Sequence, residues 1–442
     1  MACGGWGRRG RGGLIALAVA ASVLVTGGAA VAEPAAPAVR NVVWLSDRRV
    51  ALWVDSPAMG DRVQVQLLLA RDWNLQPDSR FPALFLLDGR WAGDDESGWT
   101  KTAGAQKFYA DKNITVVLPV GGQSSWYTNW RRPDRGKTYR WETFLTKELP
   151  PLLERSWRTS GVRGILGASM GGSAAMTLAS RNPGFVRFAG SLSGVLTTTT
   201  LGMPQAIRYT MGEAGGYDSE NMWGPATDGE WAAHDPYALA ERLKGVSLYV
   251  SSGSGLAGRR DIPHGIPGVS TDWTGMALEV LARFSAQLFV AKLNKLSIPI
   301  QVNYRPSGTH SWPYWDFEMR QSWPQAATAL GVDAGAPDCA AAGAIAPVAQ
   351  SKDWLGGCVT REFALAGGAA QDFRGGRVFW SAAGGAHAVG GSIGGAYQGA
   401  AGSGGTLGFP ISDETPIPGG ARQDFQRGYI LFREGKAEIH AS

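Results

Sequence analysis

Short apolar runs alternate with longer helical stretches between about residue 40 and residue 330. The runs are four to eight residues of mostly apolar side chains and predict strands; they are Val63–Leu69, Ala83–Leu87, Ile114–Pro119, Gly164–Leu166, Phe188–Ser191, Val246–Ser251 and Ile298–Tyr304. Stretches that predict helices lie between several of them, including Trp141–Leu153 and Met276–Leu296. The alternation predicts an α/β domain with a mostly parallel sheet and helices on both faces.

Most of these predicted strands end in residues that can carry chemistry. Such ends are Asp88-Gly89, Gly121-Gly122, Ser169, Ser193-Gly194, Ser252-Gly253 and, after a short turn, His310. In open α/β sheets, binding and catalytic groups collect at the carboxyl ends of the strands. We therefore expect one functional site at that edge of the sheet.

The segment Gly167-Ala168-Ser169-Met170-Gly171-Gly172 follows the apolar run Gly164–Leu166 and precedes a good helix former, Ser173–Ser180. It fits the Gly-x-Ser-x-Gly nucleophile elbow, in which a sharp strand-to-helix turn exposes the serine oxygen above a sheet. Glycines are needed because a Cβ on either side would collide with neighbouring backbone. The pattern predicts an α/β-hydrolase fold with Ser169 as nucleophile.

A serine hydroxyl needs a base to take its proton. The chain has five histidines, which are His234, His264, His310, His387 and His440. His310 follows the strand Ile298–Tyr304 and is the expected base, whereas His264, in a polar loop, is the alternative. His234 precedes Asp235-Pro236, where a helix start is expected. The remaining two lie in the C-terminal part of the chain.

The acid that orients the base follows the serine and precedes the histidine in this fold. Asp261, Asp272 and Glu279 all lie between Ser169 and His310. Spacing alone leaves the three open.

The first 32 residues have the pattern of an export signal. Arg8, Arg9 and Arg11 precede the apolar stretch Leu14–Val25, and Ala30-Val31-Ala32 offers a small-residue cleavage site. The apolar stretch is too short and too rich in Ala and Gly to favour a transmembrane anchor. We expect an exported, soluble protein.

Two cysteines, Cys339 and Cys358, lie close together beyond the predicted signal. In an exported protein this predicts a disulfide that closes a short loop. We expect no metal site there, because no cluster of histidines or carboxylates accompanies them.

The formal net charge of +5 is partly due to the N-terminal arginines. Since the chain lacks a dense Lys/Arg run, nucleic acid is not an expected partner. Tryptophan is abundant, with 18 residues. These rings are expected partly in the core and partly as flat apolar faces for sugars and acyl chains.

Residues 333–353 are rich in Ala, Gly and Pro and predict a linker. Beyond them, Trp354–Trp380 aligns without gaps onto Thr406–Phe432. Gln371-Asp372-Phe373 matches Gln423-Asp424-Phe425 in this alignment. One full and one partial repeat predict a small Gly-rich β module over 354–442, with a role in binding.

Several long motifs resemble the secreted mycolyltransferases of mycolic-acid bacteria, the antigen 85 group. From Val50 to Leu330, in order, they are Asp88-Gly89, Val120–Trp130, Trp141–Thr146, Ser191–Gly194, Met222–Pro225 and Gly308–Trp315. The C-terminal module resembles the LGFP repeat, carried by Leu407-Gly408-Phe409-Pro410. That repeat accompanies some mycolyltransferases and is thought to hold them to cell-wall polysaccharide. The resemblance implies a catalytic domain over 33–332.

Carried over residue by residue, the resemblance implies a catalytic set of Ser169, Glu279 and His310. It implies an oxyanion hole made by the backbone N–H groups of Arg90 and Met170, which would meet charge developing in the tetrahedral intermediate. It also implies contacts to a trehalose sugar from Asp88, Ser311 and Trp312.

Two positions depart from the family pattern. The family usually has Leu-Arg after Asp-Gly, where this chain has Arg90-Trp91. A second sugar-binding position, often Asn in the family, is Thr102 here. The backbone N–H of residue 90 can donate a hydrogen bond whichever side chain the residue carries. The differences therefore concern the sugar-acceptor site at Trp91 and Thr102 rather than the acyl-enzyme chemistry.

The expected activity is transfer of a mycolyl group from trehalose monomycolate to a second trehalose monomycolate or to cell-wall arabinogalactan. No metal or cofactor is expected. An exported carboxylesterase would use the same residues and release the acid to water. A third hypothesis is an envelope-anchored binding or adhesion protein with an idle hydrolase domain; the intact catalytic set argues against it.

Overall fold

The computed structural model describes Met1 and residues 36–261, 272–333 and 339–442. The rest of the predicted signal segment lies outside the described residues. The strands of the N-terminal part are β1 (Ala38–Ser46), β2 (Arg49–Ser56), β3 (Asp61–Leu68), β4 (Phe81–Leu87), β5 (Thr115–Pro119), β6 (Thr159–Ala168), β7 (Phe188–Leu192), β8 (Ser247–Ser252) and β9 (Ile300–Tyr304). Those of the C-terminal part are β10 (Phe363–Leu365), β11 (Gly368–Asp372), β12 (Gly376–Ser381), β13 (Gly385–Gly390), β14 (Thr415–Ile417), β15 (Gly420–Phe425), β16 (Gly428–Arg433) and β17 (Lys436–Ala441).

The α-helices are α1 (Gly98–Lys101), α2 (Ala105–Tyr109), α3 (Trp141–Thr143), α4 (Leu149–Ser156), α5 (Met170–Arg181), α6 (Met203–Glu213), α7 (Ser219–Trp223), α8 (Gly229–Ala233), α9 (Trp273–Lys295), α10 (Trp312–Leu330), α11 (Ile345–Gln350) and α12 (Gly391–Gly399). Within the described ranges, no helix has the length and apolar character that crossing a membrane requires.

A nine-stranded sheet forms the centre of the N-terminal part, in the order β1-β2-β3-β5-β4-β6-β7-β8-β9. The pairs from β5 through β9 are parallel, and β1, β2 and β3 add an antiparallel extension on one side. The predicted α/β-hydrolase fold with a mostly parallel sheet is confirmed. The sequence reading did not include β1 and β2.

Both faces of the sheet are covered, which explains why its central strands are apolar throughout. Along β4, Ala83, Phe85 and Leu87 pack into one core cluster, whereas Leu84 and Leu86 pack into another. The first cluster includes side chains of α4, α5 and α9, and the second includes side chains of α1, α2 and α10. The site lies at the carboxyl edge between these two layers.

Some local expectations differ from the structure. The single helix expected over Trp141–Leu153 is two short α-helices joined by a π-helical turn, Phe144–Glu148. His234 follows the end of α8 rather than opening a helix, and it stacks on Trp223 with ring centres 4.9 Å apart. Pro150 and Pro151 lack backbone N–H groups and are tolerated in the first turn of a helix, which explains why α4 begins there.

The C-terminal part contains two four-stranded antiparallel sheets, β10–β13 and β14–β17. Helix α12 follows the first sheet, and the described chain ends soon after the last strand of the second. Tyr397 of α12 stacks on Phe425 with ring centres 4.4 Å apart, which joins the two repeats into one core.

Part of the predicted linker, residues 333–353, forms regular secondary structure. It contains α11, whose Ile345 is buried with Leu355, Phe373 and Val378 of the first repeat. The expected disulfide is present between Cys339 and Cys358, with Cα atoms 6.2 Å apart.

A buried ion cluster joins the first repeat to the hairpin between β1 and β2. Arg48 pairs with Asp372 at 2.6 Å, and Arg377 pairs with both Asp372 and Asp47. Burial alone would raise the pKa of Asp372, but Arg377 and Arg48 outweigh it and hold the pKa below its ordinary value. The cluster fixes the repeat against the side of the nine-stranded sheet.

Candidate active site

Ser169 stands at the turn between β6 and α5 with φ 55° and ψ −120°. A Cβ on Gly167 would lie 2.1 Å from the carbonyl oxygen of Gly171. A Cβ on Gly171 would lie 2.4 Å from the carbonyl oxygen of Leu87. Only glycine fits at either position, and the packed backbone around it holds Ser169 in a conformation that other residues rarely adopt.

Three side chains from distant parts of the chain meet above this turn. Nε2 of His310 lies 2.7 Å from Oγ of Ser169, and Nδ1 of His310 lies 2.8 Å from Oε2 of Glu279. His310 follows β9, and Glu279 projects from α9. A serine, an imidazole and a carboxylate in this order form the arrangement that activates a serine nucleophile.

Glu279 is fully buried, and its second oxygen is also satisfied. Oε1 accepts hydrogen bonds from Oγ of Ser193 at 2.9 Å and from the backbone N–H of Gly253 at 2.5 Å. Nη2 of Arg305 lies 3.6 Å from the same oxygen. These contacts fix the carboxylate toward the histidine and compensate its burial.

Of the acidic residues that spacing left open, Asp261 and Asp272 have other partners. Asp261 accepts hydrogen bonds from Oγ1 of Thr309 at 2.5 Å and from the hydroxyl of Tyr314 at 2.8 Å. Asp272 caps α9 by accepting from the backbone N–H of Gly275 at 2.8 Å. The alternative base His264 lies outside the described residues.

The backbone N–H of Met170 is the first in α5, so it has no hydrogen-bond acceptor within the helix. The loop after β4 runs beside the serine, since a Cβ on Gly89 would lie 3.6 Å from Cβ of Ser169. Arg90 follows in that loop and lines the cavities on both sides of the serine. The two residues assigned to the oxyanion hole thus flank Ser169.

A cavity of about 540 Å³ opens on one side of Ser169 and His310. All the residues that the sequence assigned to sugar contacts line it, namely Asp88, Trp91, Thr102, Ser311 and Trp312. Trp91 is 60% exposed at the rim. Trp312 packs edge-on against Trp99 and Trp315, with ring centres 5.3 Å and 5.0 Å away. The cavity combines polar groups with aromatic faces, as sugar binding requires.

Asp88 is the most perturbed acid in this cavity. Burial raises its pKa to about 7, although Oγ of Ser97 and the backbone N–H groups of Gly98 and Trp99 favour the charged form. Oδ1 accepts from Ser97 at 3.2 Å. Oδ2 is buried without a hydrogen-bond partner among the described residues.

A second, narrower cavity of about 40 Å³ lies on the other side of Ser169. Its wall is mainly apolar and includes Trp126, Val195, Met203, Ile207, Leu278 and Leu281. Arg90 also lines it and approaches Glu213 at the end of α6, with Nη1 and Oε2 3.0 Å apart. An apolar wall on one side and a polar cavity on the other suit an ester that joins an acyl chain to a sugar.

Sequence reasoning did not assign Ser193, Ser97, Trp315 or the apolar wall to the site. Ser193 follows β7 at a strand end and has φ 54°. Its Oγ contacts Glu279 and accepts from Nε1 of Trp315 at 3.2 Å. Its place at the end of a predicted strand was a signal for this role. The residues of the apolar wall could not be recognised from the sequence, because apolar side chains of this kind are equally typical of a hydrophobic core.

Comparison with known proteins agrees with this geometry. A family model described as "Putative esterase" matches residues 56–326, and an LGFP repeat model matches 355–405 and 407–441. The chain is 35% identical to the diacylglycerol acyltransferase/mycolyltransferase Ag85B of Mycobacterium intracellulare over 344 residues, 75% of this chain and 96% of that protein. It is 37% identical to Ag85A of Mycobacterium ulcerans over 291 residues, 63% of this chain and 81% of that protein.

This chain belongs to the antigen 85 mycolyltransferase family. The resemblance inferred from the motifs is therefore confirmed. Among solved structures, MPT51 (FbpC1) of Mycobacterium tuberculosis is 28% identical with a TM-score of 0.54, over 66% of this chain and 98% of that chain. An S-formylglutathione hydrolase from Agrobacterium tumefaciens is 14% identical with a TM-score of 0.50, over 67% of this chain and 100% of that chain, and shares the fold.

Proposed function

We propose that this antigen 85 family member is a serine-dependent mycolyltransferase. In the first half-reaction Oγ of Ser169 attacks the ester carbonyl of trehalose monomycolate, while Nε2 of His310 takes the hydroxyl proton. The backbone N–H groups of Met170 and Arg90 stabilise the oxyanion. His310 then returns the proton to the sugar oxygen, so that trehalose leaves as an alcohol and the mycolyl group stays on Ser169.

The second half-reaction reverses these steps with a different alcohol. A sugar hydroxyl in the larger cavity gives its proton to His310 and attacks the acyl carbonyl, and the proton then returns to Oγ of Ser169. Glu279 holds the imidazole in the required tautomer and stabilises its protonated form. No metal or cofactor enters either step.

One observation carries this proposal: a polar cavity large enough for a sugar and a narrow cavity with an apolar wall meet at the same serine. A hydrolase needs only water beside its acyl-enzyme. Here Asp88, Ser311 and Trp312 line a cavity large enough for a bound sugar, whose positioned hydroxyl can outcompete water. The departure at Arg90-Trp91 leaves Trp91 at the rim as an apolar face for that sugar.

We also propose that the protein acts in the cell envelope and that arabinogalactan is an acceptor besides trehalose monomycolate. The two LGFP repeats support an association with wall polysaccharide. The catalytic part would extend over 33–332 and the repeat module over 354–442, with 1–32 as the export signal.

The test is product analysis with trehalose monomycolate as the sole lipid. The protein and its Ser169→Ala variant are incubated with it, and the lipids are resolved by chromatography. Trehalose dimycolate that appears only with Ser169 supports the transferase. Free mycolic acid as the main Ser169-dependent product would instead identify a carboxylesterase, and no Ser169-dependent product would point to a binding protein.

A further inference from the structure

A larger cavity, of about 1540 Å³, lies between the antiparallel extension of the sheet and the first LGFP repeat. We call it the repeat groove. On one side, Gln64, Gln66 and Leu68 of β3 face it, while the alternating Val63, Val65 and Leu67 face the core. On the other side lie Arg374 and α12 of the repeat. The repeat thus forms a wall of the cavity.

The repeat groove adjoins the sugar cavity at the active site. Asp95 and Glu96 line both cavities. Val65 pairs with Pro119, at the carboxyl end of β5, and Leu68 pairs with Val116 nearer its start. The groove therefore extends along β3 for roughly 14 Å, from the edge of the sheet that carries Ser169 toward the opposite edge.

Polar side chains with both donors and acceptors line this path. Arg49 donates to Oε1 of Gln66 at 2.6 Å, to Oε1 of Glu96 at 2.5 Å and to Oε1 of Gln106 at 3.2 Å. These side chains can donate to and accept from the hydroxyl groups of a ligand.

Pairing within the protein neutralises much, but not all, of the charge in the groove. Arg48 pairs with Asp372, Arg49 with Glu96 and Lys112 with Asp111, each within 2.6 Å. Lys107 and Arg374 also line the groove, and both are exposed without an ion-pair partner among the described residues. These two cations can donate to hydroxyl groups and are too few for a dense anionic-polymer site. The chemistry favours a ligand that is recognised mainly through hydroxyl groups.

The wall made by α12 is open and consists mainly of glycine, with Gln398 as the longer side chain on it. Gly391, Gly395 and Gly399 are exposed, and a Cβ on any of them would meet nothing within 4 Å. The opposite face of α12 carries Ile393 and Tyr397, which are buried in the core of the repeats. The helix is thus held by one face and presents mostly backbone to the groove by the other.

We propose that the repeat groove is an extended acceptor site for a neutral glycan of several sugar units. One end of the glycan would place a primary hydroxyl group beside Ser169, and the following units would lie along β3 against α12. The first LGFP repeat is then part of the acceptor site rather than only a tether. This inference rests on the proposed acyl transfer to sugars.

The groove can be narrowed beside α12, without disturbing either wall, by Gly395→Leu. This change fills open space and replaces a helical glycine by a better helix former. The matched control is Gly229→Leu on α8, where an exposed helical glycine also has nothing within 4 Å of its Cβ position. Thermal unfolding of both variants checks that the fold is kept.

The experiment compares two acceptors, trehalose monomycolate and arabinogalactan-derived oligosaccharides of increasing length. In the unmodified protein, kcat/KM for the oligosaccharides should rise with length, through KM. Gly395→Leu should lower the ratio of kcat/KM for long oligosaccharides to that for trehalose monomycolate at least tenfold. Gly229→Leu should leave the ratio unchanged.

An unchanged ratio in Gly395→Leu, or a kcat/KM that does not depend on oligosaccharide length, would overturn the groove proposal. Binding that is lost in high salt and is restricted to anionic polysaccharides would also overturn it, because the ligand would then be of another class. Failure of the proposed function is distinguishable, since the protein would then make no Ser169-dependent trehalose dimycolate.

Discussion

Oε2 of Glu279 lies 2.8 Å from Nδ1 of His310, although the carboxylate comes from the middle of one helix and the imidazole from a loop beyond the last strand of the sheet. The contact orients Nε2 toward Ser169 and fixes which ring nitrogen carries the proton. In the proposed mechanism, the activation of Ser169 depends on this contact.

Glu279→Gln should retain the shape of the site and remove the charge that stabilises protonated His310. We expect kcat for trehalose dimycolate synthesis to fall about 10³-fold to 10⁴-fold with little change in KM, as in other serine triads. Steady-state kinetics with a spectroscopic check of folding would measure this. A fall of less than tenfold would show that Glu279 is not the orienting acid.

Ser193→Ala tests a residue that acts on the catalytic set through Glu279. It removes one of the hydrogen bonds to Oε1, and one such bond to a charged group contributes about 1.5–3 kcal/mol. We expect kcat to fall about tenfold to a hundredfold, and Ser193→Gly to show a similar loss, because glycine suits the positive φ but also lacks the hydroxyl. Activity close to that of the unmodified protein in Ser193→Gly would contradict this positioning role.

Asp88 should make sugar binding depend on pH. Burial raises its pKa to about 7, so the charged carboxylate, which we propose accepts hydrogen bonds from sugar hydroxyls, is present above that pH and is lost below it. On a Ser169→Ala background, trehalose binding measured by calorimetry should strengthen as the pH rises through 7. The additional Asp88→Asn change should abolish that rise; if the rise persists, another group is responsible.

The raised pKa of Asp88 also predicts an effect of pH on folding stability, opposite in sign to its effect on sugar binding. Because the folded-state pKa lies above the unfolded value of about 4, the native state favours the protonated acid, and its stabilising contribution is lost as the pH rises toward about 7. The free energy of unfolding of Asp88→Asn minus that of the unmodified protein should therefore be larger at about pH 8 than at about pH 5. Thermal unfolding at the two pH values measures this difference.

Asp372 and Asp424 occupy equivalent positions in the two repeats but have different surroundings. Asp372 is buried between Arg48 and Arg377, whereas Asp424 pairs with Arg422 at the surface, where the side chains are 37% and 39% exposed. Asp372→Asn should cost about 3–5 kcal/mol because it leaves buried arginines uncompensated. Asp424→Asn should cost less than about 1 kcal/mol. Similar losses in urea unfolding would contradict the assigned role of the ion cluster.

The parallel strands and the nucleophile turn could be predicted because their signals are local. Gly167 and Gly171 flank Ser169 in a fixed spacing, and the strand Phe81–Leu87 is a continuous apolar run that a two-sided core requires. The LGFP repeat was visible as self-similarity at a fixed offset.

Contacts between distant segments could not be predicted in the same way. By spacing alone, Asp261, Asp272 and Glu279 are equally good candidates for the acid, and only the family resemblance selects Glu279. The contact between Glu279 and His310 depends on how α9 packs on the sheet. Likewise, nothing local in Arg48 or Asp372 indicates that they form a buried pair across 324 residues. The two cavities also arise from this packing.

The most direct test of the account is to follow a labelled mycolyl group on Ser169. The protein is loaded with a stoichiometric amount of labelled trehalose monomycolate, quenched and digested, and the labelled peptide is identified by mass spectrometry. A second sample of the loaded protein is chased with buffer or with excess unlabelled trehalose monomycolate. We predict label on the peptide containing Ser169, slow loss in buffer and fast discharge into trehalose dimycolate with the sugar acceptor. Label elsewhere, or discharge to free mycolic acid at the same rate with and without the acceptor, would contradict the account.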